Sequence, residues 1–179
     1  MTLAFPPSAV LASHAAVAVG IALALLASRP WPLLYALLLW PGTLAHELCH
    51  FVVGLLLGAQ PVALEVWPRR MSQRHWQLGE VRFAQLRWWN KVPVGLAPLL
   101  LLPLGAWLFW QTLAWPAPSW SALGGNLLAV QCLLAAWPSQ RDLLHVLAGL
   151  LVLALLGGLV YLLLLKLGLL SWLSRFAGP

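Results

Sequence analysis

The chain has 179 residues, of which 62% are hydrophobic and 8% charged, against roughly 25% charged and 45–50% apolar in a soluble domain. That composition excludes an ordinary cytosolic globule, a disordered chain and a collagen-like fibre. The formal net charge of +6 arises from 10 Lys+Arg against 4 Asp+Glu. These basic residues form no continuous soluble face, so no nucleic-acid partner is expected, and the surplus reads as a membrane topology signal.

At ~20 residues per crossing, the length accommodates roughly four to six spans in one domain covering residues 1–179. The first apolar run, 9–28, is read as a retained transmembrane helix, because Met1 to Val10 contain no basic leader. Arg29-Pro30-Trp31-Pro32 ends it with a charge, helix breakers and an interfacial aromatic. The second run, 33–57, is interrupted by Pro41-Gly42, and a new helical stretch is expected from there to Leu57, closed by Gly58.

Residues 60–91 differ in kind. They hold six basic residues, Arg69, Arg70, Arg74, Arg82, Arg87 and Lys91, and two acids, Glu65 and Glu80. Partial period-two alternation over 61–67 and 76–83 flanks a polar turn at 68–75, which predicts a small β-hairpin-like insertion between the second and third crossings. The positive-inside rule places this segment on the cytoplasmic side.

Residues 92–113 form a third run, broken by Pro93, Pro98 and Pro103, and an uncharged Pro/Trp-rich loop follows. The fourth run, 122–137, is ~24 Å long as a helix, short of the ~30 Å hydrocarbon core. It is expected to end inside the membrane at Pro138-Ser139-Gln140-Arg141-Asp142. The fifth, 143–165, carries Gly157-Gly158 at its middle, with Lys166, Trp172 and Arg175 at the last interface. The expected fold is an all-α polytopic membrane protein with about five transmembrane helices, a multi-pass protein of a bacterial inner membrane.

The chemistry is concentrated in His46-Glu47-Leu48-Cys49-His50, an H-E-x-x-H motif. Positions i and i+4 share one helix face, so both imidazoles reach one metal ion. The intervening Glu can take a proton from a metal-activated water. With five His in the chain, chance occurrence is of order one in several hundred. Ionisable groups at membrane depth are expensive, and a shared cation explains three of them in one apolar segment. The bland reading is a set of groups that only hydrogen-bond neighbouring helices.

A catalytic zinc takes three protein ligands and one open position. Val53 and Leu56 stand where a metzincin would continue with Gly and His, which excludes that class. Glu65 and Glu80 sit in the strand-like segment and are weak third ligands. Asp142, beside the proline break, is the better one, with His145 one turn on as fallback; the competing role for Asp142 is helix capping or pairing with Arg141. Cys49 and Cys132 read as packing residues, and no disulfide framework is expected. The tryptophans near the run ends read as an interfacial belt. His14 reads as a packing residue of the first helix and His75 as a loop residue.

Residues 43–59, TLAHELCHFVVGLLLGA, resemble the metal-binding helix of site-2-protease-like membrane zinc metalloproteases. The resemblance continues through the hairpin-like segment, through Gly95-Leu-Ala-Pro98, and to residues 137–142, WPSQRD, which look like the family segment that supplies an aspartate ligand. It implies Zn2+ held by His46, His50 and Asp142, with Glu47 as catalytic general base. It also implies an intramembrane metalloendopeptidase acting on membrane-anchored protein substrates. The chain departs from the family pattern at Cys49, where many members have a smaller residue, and at Leu143, where many have Gly after the aspartate. The rival from another class is a metal-binding membrane scaffold without activity, or a transporter. The apolar runs carry almost no further polar groups, which counts against a transport path.

Overall fold

The computed structural model describes residues 6–70 and 76–166. Helix α1 spans Ser8–Ala27, α2 Pro32–Leu38 and α3 Trp40–Leu56. Four short strands follow: β1 Pro61–Glu65, β2 Arg69–Arg70, β3 Trp76–Gln77 and β4 Glu80–Phe83. Then come α4 Lys91–Gly95, a 3-10 turn Ala97–Leu100, α5 Leu101–Thr112, α6 Trp120–Ala135 and α7 Gln140–Lys166. The expected markers Arg74, His75, Trp172 and Arg175 lie outside the described residues.

Proline dictates most of the breaks. Pro41 supplies no N–H to the preceding turn, and α2 and α3 meet there at 61°. The third apolar run becomes α4, a 3-10 turn beginning Ala97-Pro98, and α5. The last run stays one helix of 27 residues, unbroken at Gly157-Gly158.

Among the described residues two helices, α1 and α7, are long and apolar enough to cross a membrane, and a third span exists if the bent pair α2–α3 counts as one. The five crossings expected from sequence are not supported by these helices. The third run is cut short by its prolines, and α6 has 16 residues, ~24 Å against a ~30 Å core. Much of α7 is bare apolar surface: Leu144, Leu151, Leu155 and Leu162 are each more than 60% exposed. Contiguous patches of that size belong against lipid or another protein.

The hairpin-like insertion is present. β1 pairs antiparallel with β4, matching Leu64 to Val81 and Glu65 to Glu80, with an irregularity between Pro61 and Ala63. Farther out, β2 pairs with β3. The stretch between β1 and β2 is fixed to α3: Trp40 Nε1 donates to the Val66 carbonyl at 2.9 Å, and the Trp40 and Trp67 rings meet edge to face at 6.3 Å.

Inside, α6 is the hub and packs against α1, α3 and α5. His14 is fully buried; its Nε2 donates to the Trp115 carbonyl at 3.2 Å. Its Nδ1 accepts from Asn126 Nδ2 at 3.2 Å, which ties α1 to α6. Cys132 lies in the core with Leu101 and Ala136, and Cys49 packs against that cluster. Both cysteines are packing residues and both are free thiols.

Candidate metal centre

His46 and His50 lie one turn apart on α3, and their Nε2 atoms are 3.2 Å apart. Asp142, in the first turn of α7, places Oδ2 3.5 Å from His46 Nε2 and Oδ1 3.1 Å from His50 Nε2. Among the described residues these three form the group able to hold a metal ion. A tetrahedron with centre-to-ligand distances of roughly 2.0–2.2 Å has edges of roughly 3.3–3.6 Å. The separation of the two Nε2 atoms is close to that edge; Asp142 faces the two imidazoles with different oxygens, and one ligand atom from each of the three residues lies within 4.8 Å of the others.

The tautomers follow from the partners. His46 Nδ1 donates to the Ala135 carbonyl at 2.7 Å, and His50 Nδ1 donates to the Val94 carbonyl at 2.8 Å. A carbonyl only accepts, so each Nδ1 carries the hydrogen, and in its neutral form each ring presents its Nε2 lone pair. Two lone pairs and a carboxylate then face one another, an arrangement that a metal ion or a proton among them satisfies. The backbone carbonyls also play the orienting part that metal-bound imidazoles require. The donor set thus fits a borderline-soft divalent ion such as zinc.

Sequence explains why those carbonyls are free. The residue four after Val94 is Pro98, which has no N–H to close the turn. Ala135 ends α6; Pro138 follows three residues later, and the N–H of Ser139 is used elsewhere. Ser139 N donates to Asp142 Oδ2 at 2.7 Å, and Asp142 N donates back to Ser139 Oγ at 3.3 Å. This reciprocal pair is a capping box. Asp142 therefore caps α7 and joins the cluster with the same carboxylate, so the two readings of it coexist. Arg141 does not pair with it but with Glu80, at 2.9 Å. Gly95 lets α4 lie against that turn: a Cβ there would stand 2.9 Å from the Asp142 carbonyl and 2.7 Å from Val146.

The direction of α3 is set from α6. In a continuous helix the Leu38 carbonyl would accept from Gly42 N–H. Here the buried amide of Gln131 sits between them: Gly42 N donates to Oε1 at 2.7 Å, and Nε2 donates to the Leu38 carbonyl at 2.8 Å. One turn farther along both helices, His46 meets Ala135. The two helices run parallel in matched register, and Gln131 fixes it.

Glu47 is buried beside the two imidazoles. Gly79, between β3 and β4, lies directly over it: a Cβ there would be 2.7 Å from both Glu47 Cγ and Oε1. The His46, His50 and Asp142 donors and Glu47 open into a cavity of about 330 Å³, bounded on one side by β4. Among the described residues β4 pairs with β1 alone, and no strand lies along its other edge. His145 lines this cavity but is not one of the clustered donors. Glu65 is bound to Arg69 and Arg82 and Glu80 to Arg141, so neither acid supplies a third ligand. Gln131, Ser139, Gly79 and the two free carbonyls were not read from sequence as parts of the site. Comparison of the chain with protein-family models, curated proteins and solved structures returns no match.

Proposed function

We propose that the protein is a membrane-embedded zinc metalloendopeptidase. The observation that carries this reading is the convergence of His46, His50 and Asp142 with a buried carboxylate, Glu47, in the wall of the same cavity. Zinc bound there would supply Lewis acidity toward a peptide carbonyl and would make a water acidic near neutral pH. With the metal bound, Glu47 would serve as the general base that accepts a proton at its carboxylate and passes it to the leaving amine. Its burial keeps the carboxylate in a low-dielectric setting, where its charge acts strongly. The edge of β4 away from β1 can receive an unwound segment of a membrane-anchored substrate as an added strand. The site-2-protease-like motifs and the cytoplasmic side assigned to the basic hairpin fit a multi-pass protein of a bacterial inner membrane.

The rival is a metal-binding scaffold that performs no chemistry. It explains the three donors but gives Glu47 no task. Glu47→Gln separates the two readings. The purified variant retains about one zinc, as a mononuclear site requires, and loses cleavage of a co-expressed membrane-anchored substrate. Cleavage at the wild-type rate in that variant rejects the protease reading.

A further inference from the structure

We propose that a second cavity, on the other side of Glu47, is a subsite for an apolar side chain of the peptide; the inference rests on the hydrolase reading above. This cavity measures about 340 Å³ and shares His46, Glu47, Gly79 and Ser139 with the first. A peptide crossing from one cavity to the other therefore passes over the glutamate and beside one zinc-binding imidazole. The two cavities differ in the side chains they add to the shared ones. The first adds the charged Glu80, Arg82, Arg141 and Asp142 beside Val81, Phe83, Leu86 and Val94. The second adds Leu26, Tyr35, Leu39, Leu78, Leu134 and Trp137, with Arg29 and Thr43 as its further polar lining.

An extended chain advances about 3.3 Å per residue, so residues on opposite sides of the scissile bond enter unlike surroundings. The volume lies within the range of sites that enclose small ligands, roughly 300–1,000 Å³. The walls come from the end of α1, the α2–α3 break, the link between β3 and β4 and the last turn of α6. Because Glu47 and His46 form the inner wall, the occupant is a side chain delivered to the metal centre and not a distant ligand. Leucine- or phenylalanine-sized groups match its chemistry. Burying one there strengthens binding roughly ten- to a hundred-fold.

The test uses the full chain in detergent, loaded with zinc, and three probes followed by calorimetry. Acetohydroxamic acid chelates the metal alone. 4-Methylpentanohydroxamic acid adds a branched apolar arm, and 4-methylpentanamide has the arm without the chelating group. The expected result is a tenfold or greater gain from the arm, present only with the chelating group. Leu26→Trp, which fills the cavity from α1, and Leu134→Arg, which charges its wall, each abolish the gain and leave acetohydroxamic acid unchanged. If the first probe does not bind and the protein takes up no zinc, the metal reading falls and the subsite with it. If the first probe binds but the arm adds less than threefold, the subsite alone is overturned. A gain that survives both variants, or an amide that binds as tightly as the hydroxamate, overturns it equally.

Discussion

Replacing Gln131 by Leu tests whether the helix break positions the metal centre. The amide of Gln131 makes two buried hydrogen bonds, at 2.7 and 2.8 Å, into the gap between Gly42 N–H and the Leu38 carbonyl. Without it, one of two things follows. Both backbone groups stay unpaired, at a cost of about 1–3 kcal/mol each, or about 2–6 kcal/mol together. Alternatively they pair with each other, and the 61° bend straightens. Either way His46, one turn beyond Gly42, loses its registration with Ala135, one turn beyond Gln131. Loss of an orienting contact of this kind lowers metal affinity ~10–100-fold. Zinc affinity is measured by chelator competition, and stability by unfolding of the detergent-solubilised protein. Gln131→Glu, which keeps the acceptor for Gly42 N–H and loses the donor to Leu38, falls between the two. Wild-type zinc affinity in a Gln131→Leu protein that is measurably less stable refutes the reasoning, because the amide would then support folding alone.

Gly79→Ala pushes Glu47 aside, since a Cβ contact at 2.7 Å must open to about the 3.4 Å of ordinary packing. Cleavage falls by up to ~10²-fold, as expected for misplacement approaching 1 Å, while zinc content measured by atomic absorption stays unchanged. Ser139→Ala removes the acceptor of the α7 capping box; stability drops by about 1 kcal/mol and zinc affinity falls ~10-fold, read by denaturant titration and chelator competition. Zinc at a hundredfold excess over its Kd stabilises the fold by about 2.7 kcal/mol, seen as a rise in Tm that His46→Ala abolishes.

The parts of the site that were legible in the sequence are those governed by local rules. The His46/His50 spacing is helical geometry, the break at Pro41 is proline chemistry, and the alternation over 61–67 and 76–83 is a strand signal. Asp142 stood out as an acid beside a proline in an otherwise apolar stretch. The crossing count was misread because apolar composition does not measure helix length. Prolines divide residues 92–113 into short pieces, and α6 stops at Ala135. Gly79 over Glu47, Ala135 facing His46 and Val94 facing His50 are pairings between distant segments that no local pattern reports. Weak signals for some of them existed. Gln131 is an amide within an apolar run, where polar groups need a partner, and Pro98 marks the Val94 carbonyl as one without its usual donor.

X-ray absorption on the zinc-loaded wild-type chain tests the central claim most directly. The account predicts one zinc with nitrogen and oxygen ligands at roughly 2.0–2.2 Å, two of them imidazoles, and loss of one imidazole in His50→Ala. A zinc–sulfur distance of about 2.3 Å, the mark of a cysteine ligand, would contradict it, as would a wild-type chain that binds no zinc.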